Sequence, residues 1–197
     1  AFLVGHPVLR PLVITSSLLN LASTAYFAVF VLWAVGPTSA VGLSPEHYPF
    51  ITLGLAVGAV AGSMVAARLQ AWLGEKRTII GALVASVLLM LVPVLWPTPF
   101  ALALAFTLVG VTNTVGNVLS QSLRQRLAPG ALLGRIGGAS RTLSYGLMPL
   151  GALLGGVLAQ ATGLTATFYA AVVVSLAACG YLANALRHAD LSTSAAG

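Results

Sequence analysis

Charged side chains are scarce in this sequence, and acidic ones are almost absent. Of 197 residues only 6% are charged, nine of them basic and three acidic, whereas a soluble domain carries about 25% charged residues. So few charges cannot cover the surface of a water-soluble protein. Because 58% of the residues are hydrophobic and the mean hydropathy is +1.00, the scarcity of charge indicates an outer surface solvated by a lipid bilayer.

The residue types that usually carry catalysis or bind metals are equally scarce. The acids form no pair, the single cysteine excludes a disulfide within the chain, and no histidine lies inside an apolar run. These residues are Glu46, Glu75, Asp190, Cys179, His6, His47 and His188. We therefore expect no enzyme, no metal site and no cofactor. The pI of about 10.3 does not indicate nucleic-acid binding, since the basic residues form no blocks with interleaved aromatics.

The apolar stretches have the length of membrane-spanning helices, which need about 20 residues. They divide into six, because residues 97–99 (Pro-Thr-Pro) and 162–163 (Thr-Gly) interrupt two long uncharged runs. The predicted helices are about 12–35, 48–68, 78–96, 100–122, 138–161 and 165–186. The sequence thus predicts an all-α membrane protein, with one six-helix transmembrane unit over residues 1–188 and a flexible cytoplasmic tail over 189–197.

The basic residues all fall at the same side of this predicted bundle. They are Arg10 before the first helix, Arg68, Lys76 and Arg77 between the second and third, Arg124, Arg126 and Arg135 between the fourth and fifth, Arg141 just inside the fifth, and Arg187 after the sixth. Basic connections mark the cytoplasmic side of a membrane protein. Both termini of this segment are therefore expected to be cytoplasmic.

Uncharged polar side chains recur at helical spacing inside two of the predicted helices. They are Ser16, Asn20 and Thr24, followed by Phe27, in the first helix, and Asn113, Asn117 and Gln121 in the fourth. An unbonded amide in hydrocarbon is costly, so these groups must face other helices or a watery cavity. Hydrogen bonding between helices explains a single asparagine equally well. The fourth helix carries a whole row of polar residues that ends in Arg124. For this row we favour the lining of a transport pathway over hydrogen bonding between helices.

The fifth predicted helix adds a cation and an aromatic one turn apart, Arg141 and Tyr145. Arg141 lies near the start of this helix, so it either extends to the cytoplasmic interface or places a charge at the inner mouth of a pathway. Tyr145, like Phe27, either stacks on a substrate or packs between helices. A kink is expected at Pro149, which lacks an N–H. Close helix packing is expected at the small residues that follow, Gly151, Gly155 and Gly156.

Two stretches resemble the major facilitator superfamily. GSMVAARLQAWLGEKRT, between the second and third helices, is similar to the family's loop signature, with matching residues at Gly62, Arg68, Gly74, Lys76 and Arg77. Ala66 and Ala67 stand where the family usually has an Asp, which favours the second half of such a protein. SLRQRLAPGALLGRIGGASRTLSYGLMPLGALLGG is similar to the tenth-to-eleventh helix region of bacterial drug and siderophore exporters, the group that includes the enterobactin exporter and macrolide efflux proteins.

This resemblance implies a protein of two six-helix halves, each a 3+3 inverted repeat, in the bacterial inner membrane. The present chain would be the C-terminal half, and its partner the N-terminal half. Alternating access would then export a small amphipathic substrate, with protons as the coupling ion. The first methionine is Met64, so we expect a piece of a longer protein. The alternative is a self-contained six-helix channel or a scaffold that transports nothing.

Overall fold

The computed structural model describes residues 5–130 and 133–188, and they form a bundle of helices. The helices are α1 (Leu9–Ala34), α2 (Tyr48–Leu73), α3 (Glu75–Leu89), α4 (Val92–Leu95), α5 (Pro99–Leu127), α6 (Leu133–Gly146), α7 (Met148–Thr162) and α8 (Leu164–His188). The pairs α3–α4 and α6–α7 each make one interrupted span, so six segments are long and apolar enough to cross a membrane. The predicted fold class is confirmed.

The helices extend beyond their predicted ends where the basic residues lie. α2 continues past Arg68 to Leu73, α5 reaches Leu127, and α6 begins at Leu133 rather than near residue 138. Several arginines expected in connections therefore lie on helices. The reason is that a helix satisfies its own backbone hydrogen bonds in lipid and in water alike, so the edge of the hydrocarbon does not end it. The predicted tail, residues 189–197, lies outside the described residues.

A glycine rather than a loop joins α2 to α3. Gly74 has a φ of +81°, a left-handed conformation that suits glycine. Its N–H donates to the carbonyl of Gln70 at 2.9 Å and so caps the end of α2. The chain thereby reverses direction without any extended connection.

Successive spans run in opposite directions, and two apolar clusters lie at the two ends of the bundle. We call one end the basic end; its cluster contains Leu9, Leu12, Ala66, Ile79, Leu119, Leu123, Leu182 and Leu186. We call the other the turn end; its cluster contains Ala22, Tyr26, Phe30, Ile51, Leu102, Phe106 and Phe168. The nine basic residues all lie on the helix portions nearest the basic end.

Glycines allow two pairs of helices to approach closely. Gly58 of α2 leaves no room for a Cβ against the backbone of Thr107 in α5. Gly151 of α7 stands in the same way against Leu21 of α1. The first pair joins the second and fourth spans, and the second pair joins the fifth and first spans. If each of the first three spans is matched with the corresponding one of the last three, each pair becomes the other. The main contacts between helices thus have the symmetry of the predicted 3+3 repeat.

Aromatic rings close the bundle at the turn end. The rings of Tyr26 and Phe168 lie 4.5 Å apart between centroids, and those of Phe30 and Phe106 lie 5.0 Å apart. The Tyr26 hydroxyl donates to the carbonyl of Met90 at 2.9 Å, in the break between α3 and α4. That break places the polar tip of a buried tyrosine against a free backbone carbonyl. The rings and this hydrogen bond fill the space between α1, α5 and α8 at the turn end.

Candidate functional site

A polar cavity lies between α1, α5 and their neighbours, towards the basic end. It consists of two adjoining pockets, which we call the inner pocket, nearer the turn end, and the outer pocket, nearer the basic end. Both are lined by Ser16, Asn20, Asn117, Gln121 and Arg124. The inner pocket has a volume of about 110 Å³ and is completed by side chains of α3 and α8. The outer pocket has a volume of about 270 Å³ and is completed by α6.

The structure brings together all but one of the residues predicted to form a substrate pathway. The lining includes Asn20, Phe27, Asn113, Asn117, Gln121, Arg141 and Tyr145. Thr24 is the exception, because its hydroxyl donates to the carbonyl of Asn20 at 2.7 Å within α1 and Ser23 lines the inner pocket in its place. Four of the residues of α1 that line the inner pocket follow at steps of four, three and four, the average of a helix with about 3.6 residues per turn: Ser16, Asn20, Ser23 and Phe27.

Among the described residues, the hydrogen bonds of Asn113 and Asn117 stay within α5. The Asn117 amide donates to the carbonyl oxygen of Asn113 at 3.1 Å and also to the Asn113 side-chain oxygen. Both side chains are on the exposed part of α5. Because these bonds lie along one helix, they add nothing to the contact between helices. This geometry favours the cavity over the alternative of hydrogen bonds between helices.

Arg124 continues the polar file of α5 and anchors it to α1. Its guanidinium donates to the carbonyl of Leu12 at 3.1 Å and to the hydroxyl of Ser16. Its Nε is buried and has no hydrogen-bond partner among the described residues. The sequence predicts Arg124 both as a marker of the cytoplasmic side and as the last residue of this polar row. Its spacing of three from Gln121 places it on the same face, and the structure puts both residues in the cavity wall.

Two serines of α6 also line the outer pocket and were missed from the sequence. Ser140 and Ser144 are 4% and 6% exposed, and neither hydroxyl has a partner among the described residues. Serines inside helices commonly donate to the carbonyl four residues earlier, as Ser17 does to Val13 at 2.8 Å. Their neighbours Arg141 and Tyr145, at the same spacing of four, are exposed and lie at the rim.

The residues of the loop signature lie outside the cavity. They are Gly62, Arg68, Gly74, Lys76 and Arg77. Gly62 is part of α2 and packs on Val111 of α5, while Gly74 makes the turn into α3. Beside it, Glu75 pairs with Arg126 of α5. The signature thus joins the second, third and fourth spans at the basic end.

The fifth span is interrupted at Leu147, between α6 and α7. Pro149 stands in the first turn of α7, where its missing N–H is tolerated. Gly151 and Gly155 then pack against the backbone of α1, whereas open space adjoins Gly156. The interruption separates the polar, cavity-lining α6 from the apolar, closely packed α7.

Titratable groups are nearly absent from the described part of the cavity, apart from its arginines. No aspartate or glutamate lines either pocket within residues 5–130 and 133–188. In the same ranges no group of three histidine, cysteine or acidic residues could hold a metal ion. This lining can form hydrogen bonds through its amides and hydroxyls, stack through its aromatic rings, and attract negative charge through its arginines.

The comparisons with known proteins agree with this architecture. The Major Facilitator Superfamily matches the chain over residues 16–195. The multidrug efflux pump Tap of Mycolicibacterium fortuitum is 29% identical over 127 residues, which are 64% of this chain and 31% of that protein. The match thus spans about a third of the relative's length. No solved structure matches the chain. The family match covers nearly all of the bundle, and the chain therefore belongs to the Major Facilitator Superfamily.

Proposed function

We propose that the protein exports amphipathic small molecules across the bacterial inner membrane, and that this chain is the C-terminal half of the transporter. One observation carries the proposal: a polar cavity between α1, α5 and α6 that aromatic rings close at the turn end. Substrate would meet an N-terminal half across this cavity. Rocking of the two halves would expose the cavity to each side in turn.

The mixed lining supports an amphipathic substrate. Asn117 and Gln121 supply hydrogen-bonding amides, while Phe27 and Val109 supply apolar surface in the inner pocket. Pockets that bind small molecules are mostly apolar with a few placed polar groups. A cavity of this kind distinguishes substrates by shape and polarity, as export of varied compounds requires.

Export as the direction of transport is supported by the relative, which is described as a multidrug efflux pump. The basic end would face the cytoplasm by the positive-inside rule, so the outer pocket would take up substrate from the cytoplasm. Proton antiport needs a carboxylate that titrates. The cavity has none among the described residues, so we assign proton coupling to acids of the N-terminal half.

The test is a drug-accumulation assay in cells that express the intact protein. Asn117→Leu and Arg141→Ala should each reduce efflux about two- to tenfold, the effect expected from loss of one hydrogen bond to substrate. Protein in the membrane, measured by immunoblot, should be unchanged. Unchanged efflux in both variants would remove the cavity from the transport pathway.

A matched pair of glutamines provides the control. Gln121 lines both pockets, whereas Gln160 is exposed on α7 and lines neither. Gln121→Leu should reduce efflux, and Gln160→Leu should not. Equal losses would indicate that leucine at any exposed glutamine disturbs the protein, and would contradict a specific role for the cavity.

A further inference from the structure

The charged side chains that the described residues place in the cavity are both positive. Arg124 lies in the wall of both pockets and Arg141 lies at the rim of the outer one. Among the described residues the two acids are engaged or distant: Glu75 pairs with Arg126, and Glu46 precedes α2 at the turn end. Two guanidinium groups therefore share a recess to which the described residues contribute no countercharge.

Three hydrogen-bond donors in the same recess have no partner among the described residues. The Nε of Arg124 and the hydroxyls of Ser140 and Ser144 are buried and unbonded among the described residues. All three residues line the outer pocket. A buried polar group without a partner costs free energy. Three of them around one pocket indicate that an acceptor occupies it in the working protein.

We propose that the outer pocket binds an anionic group of the exported molecule, such as a carboxylate or a phosphate. Arg124 and the hydroxyls of Ser140 and Ser144 contact the anion, and Arg141 attracts it to the rim. This inference rests on the proposed function and specifies its substrate class. Charge-assisted hydrogen bonds are about twice as strong as neutral ones, so one anionic group changes affinity markedly.

The carboxylate of an aspartate or glutamate in another protein segment could occupy the same position as the anionic group of an exported molecule. The pocket favours a separate molecule because it has a volume of about 270 Å³, far more than a carboxylate needs, and because its amides and Tyr145 offer contacts for the rest of a ligand. The two sources give opposite charge preferences. A free pocket prefers an anionic ligand, whereas a pocket already neutralised by a protein carboxylate does not.

The test compares two dyes that differ by one charge, a carboxyrhodamine and its methyl ester. Binding is measured by fluorescence polarisation on the intact protein in lipid nanodiscs. The carboxylate should bind about tenfold more tightly than the ester, as expected from loss of a charged hydrogen bond. In Arg124→Gln the preference should fall to nearly one while the ester keeps its affinity.

Further variants keep the test valid if Arg124→Gln does not fold, since Arg124 also bonds to α1. Arg124→Lys retains the charge and should retain part of the preference. Ser140→Ala with Ser144→Ala removes two donors and should reduce the preference severalfold. Arg187→Gln is the control for general surface charge, because Arg187 is exposed on α8 outside the cavity, and it should leave the preference unchanged.

The outcomes separate the two proposals. Equal binding of both dyes, weakened equally by Asn117→Leu, would overturn the anion site and leave the transport cavity in place. Preference for the ester would also overturn it, in favour of a protein carboxylate beside Arg124. Absence of saturable binding by either dye would contradict both proposals.

Discussion

Two regions of α5 differ in how closely their neighbours approach. One face meets α2 at Gly54, Gly58 and Gly62, so closely that Gly58 leaves no space for a Cβ. The next turns towards the basic end carry Asn117 and Gln121 and border a cavity. One helix thus combines a closely packed seam with an open polar wall.

The difference shows how a bundle in lipid keeps a cavity open. Lipid chains are as apolar as leucine, so apolar side chains alone do not drive helices together. Close backbone contact provides the attraction, and small residues make that contact possible. The α2–α5 seam can therefore hold α5 in place while Asn117 and Gln121, nearer the basic end of the same helix, remain unpacked and border the cavity.

The largest expected effect is on the packed seam. Gly58→Leu must separate α2 from α5, because even a Cβ at this position would overlap the backbone of Thr107. We expect loss of monodisperse protein in size-exclusion chromatography. The matched control is Gly156→Leu, since open space adjoins that glycine. A normal elution profile for Gly58→Leu would mean that the seam does not hold the helices together.

A smaller loss of stability is expected from substitutions in the part of α5 at the turn end. Phe106 is 3% exposed and packs on the rings of Phe27 and Phe30 at 6.0 and 5.0 Å between centroids. Phe106→Ala should lower the free energy of unfolding by about 3 kcal/mol, measured by chemical denaturation in detergent. Phe100 of the same helix is 80% exposed, and Phe100→Ala should change it little. Equal losses in the two variants would contradict the packing role of Phe106.

The polar wall should contribute little to stability. Asn117 bonds only along α5 among the described residues, so Asn117→Leu should change the free energy of unfolding by about 1 kcal/mol or less. The same denaturation experiment measures it. A loss of about 3 kcal/mol, as at Phe106, would make this face a packing surface and would remove the contrast with the seam.

The smallest effect is expected at the basic end, where Arg126 pairs with Glu75. The Arg126 side chain is 51% exposed, and exposed ion pairs contribute about 0.5 kcal/mol. Arg126→Gln should therefore lower the melting temperature only slightly, and the difference should vanish at high salt. A large difference that persists in salt would show that this pair, and not the seam alone, fixes the end of α5.

The polar file of α5 could be predicted from the sequence because its residues share one helix. Asn113, Asn117 and Gln121 follow at intervals of four, which keeps them on one face over two turns. Thr24 was assigned by the same rule and lies outside the cavity. The intrahelical hydrogen bond and the rotation of α1 about its axis, neither visible in spacing, decide its position.

The partners of Arg124 were beyond reach of any local pattern. Ser16, which accepts a hydrogen bond from Arg124, lies 108 positions away along the chain. Ser140 and Ser144 border the same pocket only because α6 lies across the cavity from α5. The start of α6 at Leu133 also differs from the predicted start near residue 138, because a helix that continues beyond the hydrocarbon leaves no hydrophobic signal in the sequence. These features depend on how helices cross.

By itself, the sequence determined six spans, their alternation and the gathering of basic residues at one end, because hydrophobicity and charge act against lipid residue by residue. Only the tertiary structure decided which polar groups border the same cavity. That choice depends on the rotation and crossing of helices, which contacts such as Gly58 with Thr107 and Gly155 with Ala25 set. These contacts join residues far apart in the chain, so no local pattern encodes them.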